Sequence, residues 1–227
     1  MRIQALLVGD IRFQWKYGFY FLYLVFTLLY IFFLQVLPPS WKDTASLGLV
    51  FSDPAAIGLF FMGAIILLEK SENTLQSIAI SPVRPVEYIL AKMGALSLLS
   101  TLVGFCIRLS AIRIERPVLF FLGVFLGSGL FSAIGILVAI KAKTLNQFIV
   151  LTIPLELVIN LPAFLYLFGW KYPIMLLHPG VCVIELCGNG SNWLLAILLL
   201  LAWTAGVTTL AAKYMERCFI SFGGSNL

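Results

Sequence analysis

Six long apolar runs, at 17–37, 55–68, 89–107, 118–140, 148–169 and 193–212, dominate this chain and leave few options for its fold. Inside lipid no water reaches the peptide groups. A spanning segment must therefore close its own hydrogen bonds as a helix or join a sealed barrel. Runs this long and continuous fit helices, because barrel strands are about half as long and alternate in polarity. Five of the runs reach the about 20 residues that cross a hydrocarbon core. The run at 55–68 has 14 residues, roughly 21 Å of helix. Asp53-Pro54 before it reads as an N-cap followed by proline at the first helical position. This helix either continues past Leu68, placing Glu69 and Lys70 near the headgroups, or starts earlier, near Leu47, and bends at Asp53-Pro54. The expectation is an all-α integral membrane protein with six transmembrane helices, folded as a single domain over 1–227.

Composition agrees. The chain is 61% hydrophobic and 11% charged, against about 45–50% and about 25% in soluble domains. The net charge of +5 does not point to nucleic acid, because the basic residues sit mostly in short connections, where they set orientation. With the N-terminus inside, the inner segments hold Arg2, Arg12, Lys16, Lys70, Arg84, Lys92, Lys141, Lys143, Lys213 and Arg217. The outer ones hold Lys42, Arg108, Arg113, Arg116 and Lys171. That bias places both termini in the cytoplasm of a cell-membrane protein, with the Arg108–Arg116 cluster as a local exception. The first run has 21 uncharged residues, longer than the about 7–15 of a signal-peptide core, and reads as a retained span. Before it, Ile3, Leu7 and Ile11 recur at spacing four beside Leu6, while Arg2, Asp10, Arg12 and Lys16 mark the polar side. Residues 1–16 therefore read as an amphipathic helix lying at the inner interface.

The one long polar interruption, 69–88, joins the second run to the third. Ser71 is expected to cap a short helix with Leu75, Ile78 and Ala79 on one face. Ser81-Pro82 ends it, because proline lacks a donor and disfavours helix in the residue before. Arg84-Pro85 restarts a helix, Glu87 suits its positive end, and Lys92 is placed to snorkel to the interface. A short helix, a rigid turn and a long helix make an elbow that can carry a push into the membrane.

At these residues the chain resembles the type-2 ABC exporter permeases, whose second and third spans are joined by a loop of the form Glu-x-x-x-Gly-Thr-Leu, then x-Pro, Glu-Tyr and Lys. Here it reads Lys70-Ser71-Glu72-Asn73-Thr74-Leu75, then Ser81-Pro82 and Glu87-Tyr88 up to Lys92, with Asn73 in place of the glycine. Asparagine tolerates unusual backbone angles better than most residues. Within the family the chain looks most like small bacterial permeases associated with fluoroquinolone or other drug export. The resemblance implies a permease subunit with a coupling helix at 72–80. Glu72, Thr74, Leu75, Ser77, Ile78, Pro82, Arg84 and Glu87 would meet a cytoplasmic ATPase. It also implies a second copy or paralogue of the permease, and ATP and Mg on the ATPase rather than on this chain. No Gly-x-x-x-x-Gly-Lys-[Ser/Thr] phosphate loop is present, and Gly223-Gly224-Ser225 is no substitute.

Remaining candidates concern a substrate path. Glu156 lies inside the fifth run, where an acid either meets substrate or a proton or hydrogen-bonds a neighbouring helix. Pro154 and Pro162 bracket an expected kink around Asn160. Phe60, Phe61 and Phe164 line an aromatic pocket on one reading and simply pack on the other. Gly123-x-x-x-Gly127, with Gly135 and Ala139, forms a small-residue face for close helix packing. The segment 170–192 is an outer loop that either dips back into the membrane, as in the outer gate of the family, or stays at the surface. Its Cys182 and Cys187 are a disulfide or two free thiols. The single histidine, His178, argues against a His-rich metal site. No nucleophile–His–acid set or metal cluster marks a catalytic centre, so the chain reads as a transport subunit rather than an enzyme. Its competitors are a proton-coupled carrier using Glu156 and a non-transporting membrane scaffold or immunity protein.

Overall fold

The structure, a computed structural model, describes residues 2–53 and 58–222, and they are helical with no strand. The elements are α1 (Arg2–Lys16), α2 (Phe19–Val36), α3 (Pro39–Ser52), α4 (Leu59–Ser71), α5 (Thr74–Ala79), α6 (Pro85–Ala111), α7 (Pro117–Lys141), α8 (Leu145–Leu167), α9 (Pro179–Cys187) and α10 (Trp193–Phe222), with a 3-10 turn at Pro173–Leu177. Five helices, α2, α6, α7, α8 and α10, are long and apolar enough to cross a membrane. Four of these run longer than their apolar cores and α2 slightly shorter, because prolines at 85 and 117 and Thr144 at the start of α8 set where the backbone can begin a helix.

The α6 and α7 helices form the centre, each more than half buried. By contrast, α2, α8 and α10 lie outside with apolar side chains such as Phe21, Phe32, Val150, Leu157, Leu161, Leu194 and Leu198 exposed. In water such a surface would be a liability, whereas against lipid tails it costs nothing. Helix association in lipid then depends on close packing, and α7 supplies it. A Cβ at Gly127 would lie 2.7 Å from Val183 on α9, and one at Gly135 only 2.6 Å from the Leu59 carbonyl oxygen on α4. The small-residue face is thus used within the chain.

The second apolar run follows the sequence reading at its far end, where α4 continues past Leu68 to Ser71. Its predicted start at Ala55, with Pro54, lies outside the described residues, as does Gly223-Gly224-Ser225. On either side of residues 54–57 stand two helices of 14 and 13 residues, each about 20 Å long and too short to cross alone. Asp53 is no N-cap. Its backbone is right-handed helical (φ −61°, ψ −56°) and its amide donates to the Leu49 carbonyl. Leu47, Val50 and Phe51 bury one face of α3, and that packing carries the helical turn through to Asp53.

The segment 170–192 is mostly not a surface loop. All nine residues of α9 are buried, and the helix packs on α3, α7, α8 and α10. Cys182 and Cys187 are both free thiols. Five residues apart on one helix, they point about 140° away from each other and cannot bridge. Glu185 accepts hydrogen bonds from the Tyr166 hydroxyl (2.6 Å) and the Asn192 amide (3.0 Å). Nearby, Arg108 is buried, pairs with Asp43 at 2.7 Å and donates to the Ser46 hydroxyl. One of the three arginines of the Arg108–Arg116 cluster is therefore compensated inside the fold.

Candidate functional site

The polar elbow lies at the end of the bundle shared by α1, the foot of α4 and the last turns of α10, opposite α9. Its backbone follows from a few residues. Asn73 adopts a left-handed conformation (φ 57°, ψ 12°), which asparagine reaches more easily than most residues. The chain reverses there between α4 and α5. Ser71 is not the cap expected from sequence. It is the last residue of α4, and its hydroxyl donates to the Leu68 carbonyl. The six-residue α5 stops at Ala79, and Ser81 donates back to the Ile78 carbonyl at 2.6 Å. Pro85 opens α6, and the Glu87 carboxylate accepts the Arg84 amide at 3.0 Å, satisfying a donor of the first turn.

Beneath this backbone is a charge cluster joining three helices. The Lys92 ammonium, 1% exposed, sits 2.7 Å from both Asp10 of α1 and Glu69 of α4. The Tyr88 hydroxyl donates to the second oxygen of Glu69. Lys92 also lies over the Tyr88 ring at 4.9 Å and near the Phe13 ring at 5.9 Å. Tyr88 in turn meets Phe219 of α10 edge-on. Lys92 therefore does not snorkel. Its head is turned inward because two carboxylates wait there, and only such pairing makes a buried ammonium tolerable. Glu69 is buried rather than at the headgroups. Lys70 donates to the carbonyls of Ala139, Ile140 and Ala142, the open end of α7. Asp10, read as a polar-face residue of α1, faces inward as the third member of the cluster. Just outside, the Tyr17 hydroxyl donates to Glu72.

Burial holds the Asp10 carboxyl above the usual aspartate value, while the Lys92 ammonium pulls the other way. A raised native value means the folded state holds this proton more tightly than the unfolded one. Its contribution to stability is full at low pH and is lost as pH rises through the native value. Between the ordinary and the raised value, wild-type stability should fall with pH more steeply than that of Asp10→Asn. Parallel unfolding curves across that window would rule out this state of Asp10.

The residues expected to meet an ATPase divide by exposure. Glu72, Ser77, Pro82 and Arg84 are exposed, as are Gln76 and Ile80 beside them. Thr74, Ile78 and Glu87 are half-buried. Leu75 is fully buried and pins α5 onto the bundle, so its side chain is not on offer in this conformation. The five substrate-path residues do not gather in one place. Phe61 packs edge-on against Phe19 and Tyr23, Phe60 against Phe148, and Phe164 against Phe51. Glu156 and Asn160, one turn apart on α8, each keep a buried oxygen without a hydrogen-bond partner. The α8 helix runs unbroken past Pro154 and Pro162. Sequence reasoning missed Asp10. Its only signal was an acid three and four residues after Leu7 and Leu6 of α1, which a solvated face explains equally well.

Comparison with known proteins gives this arrangement its context. Residues 1–221 match the model of the fluoroquinolones export permease protein family. Two proteins of Mycobacterium tuberculosis, strains CDC 1551 / Oshkosh and ATCC 25618 / H37Rv, both named fluoroquinolones export permease protein, are 28% identical to the chain over 154 residues. The alignment spans 67% of this chain and 65% of each relative. With a match that runs from the first residue through the elbow and on to the end of α10, the chain belongs to the fluoroquinolones export permease protein family.

Proposed function

We propose that the chain is the membrane subunit of an ATP-driven exporter, worked through its elbow by a separate ATPase that carries ATP and Mg. The observation that carries this reading is the build of the elbow. Its outer side offers Glu72, Gln76, Ser77, Ile80 and Arg84, while Leu75 and the Lys92 cluster fasten its inner side to α1, α4 and α6. A surface so exposed and so firmly rooted passes a displacement on instead of absorbing it. ATP drives transport to the extent that the complex binds it unequally in its inward- and outward-open states.

In this reading the elbow end faces the cytoplasm at the cell membrane, as do both termini. The α3 and α4 helices together make a sixth crossing. Helix α1 lies among the inner headgroups, where its exposed Val8 and Trp15 suit the interface. A second copy or a paralogue completes the transport unit. The cargo is a hydrophobic or amphipathic small molecule, of the kind after which the relatives are named. Glu156 and Asn160 are its first polar contacts, since their unpartnered oxygens can meet a polar group of the cargo.

The test is co-purification. An ATPase encoded beside this chain should copurify with it, and Glu72→Lys or Ile80→Asp should release it while the membrane subunit stays folded. Reconstituted alone in liposomes, the chain should accumulate nothing against a gradient. Uphill transport without a second protein or nucleotide would overturn the proposal and favour the proton-coupled carrier.

A further inference from the structure

Asp53 ends α3 where a carboxylate has few stable surroundings. It is 1% exposed. Its carboxylate lies against the Ser100 hydroxyl, yet neither carboxylate oxygen has a hydrogen bond of normal geometry. Ser100 is fifteen residues into α6 from Pro85 and eleven short of Ala111, about 22 Å and 16 Å from its two ends. The site is therefore deep in the bundle. The ion pairs among the described residues are Lys92 with Asp10 and Glu69, and Arg108 with Asp43; none reaches Asp53. Residues 54–57 are Pro-Ala-Ala-Ile and bring no charge.

Hydroxyl groups of α2 and α6 adjoin this carboxylate. The Tyr23 hydroxyl of α2, 1% exposed, is 3.4 Å from the Ser100 Oγ. Tyr23 and Tyr30 are the titratable groups facing Asp53 from α2. From α7, the Ser128 Oγ lies 4.0 Å, and the Asp53 carbonyl oxygen 3.6 Å, from the point where Gly58 would carry a Cβ. The hydroxyls of Ser128 and of Ser97, one turn from Ser100, are buried without partners. One carboxylate balances one positive charge, whereas calcium- or magnesium-type sites draw on more.

We propose that Asp53, Ser100 and Tyr23 form a binding site for one alkali cation of the sodium class where α3 meets α2 and α6. The carboxylate supplies the charge and the hydroxyl oxygens complete the shell. A proton would cancel the charge but leave those oxygens idle. Binding there would hold α3, α2 and α6 together and make their packing sensitive to sodium.

The experiment is thermal unfolding of the full chain in detergent, titrated with sodium chloride against choline chloride at constant ionic strength. The wild type should show a saturable rise in midpoint with sodium, as expected when a ligand binds only the folded state. Asp53→Asn, nearly the same size, should lose that rise. Ser100→Ala keeps the carboxylate and should need more sodium for the same rise, which preserves the test if the asparagine variant folds poorly. Equal midpoints in sodium and choline overturn the proposal. So does a sodium response shared by wild type and Asp53→Asn, or a dependence on pH alone. The measurement needs no ATPase and no transport, so its failure leaves the export reading standing.

Discussion

Replacing Lys92 by alanine should remove about 3–5 kcal/mol of stability, the usual cost of taking one partner from a buried ion pair. Asp10 and Glu69 would then face each other without the ammonium that separates them, and Tyr88 could satisfy only one oxygen of Glu69. The loss comes mainly from the stranded carboxylates rather than from the attraction itself. A triple replacement, Lys92→Met with Glu69→Gln and Asp10→Asn, should therefore recover most of it, because a buried ionic group exchanged for neutral side chains is often close to even. Denaturant unfolding in micelles measures both. Hydrogen exchange adds a local reading, since α1 is tied to α6 through this contact and its amides should exchange faster in the alanine variant. Unchanged stability and unchanged protection of α1 would remove the cluster from any part in holding the elbow.

Gly135→Ala should destabilise the protein by about 1–3 kcal/mol, the range for overpacking a tight contact. Two effects oppose each other. Alanine favours helix over glycine by about 1 kcal/mol. Against that, the new methyl would meet the Leu59 carbonyl at 2.6 Å and the Met62 Cβ at 3.3 Å. The nearer atom is backbone, so α4 and α7 must separate to make room. Gly206→Ala on α10 is the control. Nothing lies within 4 Å of its new methyl, so helix preference acts alone and the midpoint should rise. The opposite signs of the two substitutions are the result to look for. A rise at both positions would mean that α4 and α7 are not in close contact there.

The large features were readable in the sequence because lipid permits so few solutions. Runs of about 20 apolar residues have to be helices, and five of them are. The helix start at Pro85 was readable because local backbone chemistry decides it. What escaped depends on contacts between distant segments. Lys92 and Asp10 are 82 positions apart, and nothing local distinguishes a lysine that snorkels from one that turns inward. Leu75 sits among exposed neighbours, so its burial needed α4 and α10 to be in place. The stretch 179–187 read as part of the loop 170–192, although proline at a first helical position, after an extended His178, is an ordinary helix opening.

Helix α9 decides how the far end can move. Val181, Val183, Ile184 and Leu186 are each under 5% exposed, and bringing one such side chain into water costs about 1.5–3 kcal/mol. A flap hinging outward would wet all four at once, at a cost of about 6–12 kcal/mol, comparable with the whole reserve of about 5–15 kcal/mol that holds a domain folded. The Val183 side chain, seated in the notch that Gly127 leaves on α7, locks the two pieces against sliding. Helix α9 must then travel as a passenger of α7 and α10. Any mouth on that side opens along a seam between blocks, and a tether joining α9 to α7 would leave the moving parts free.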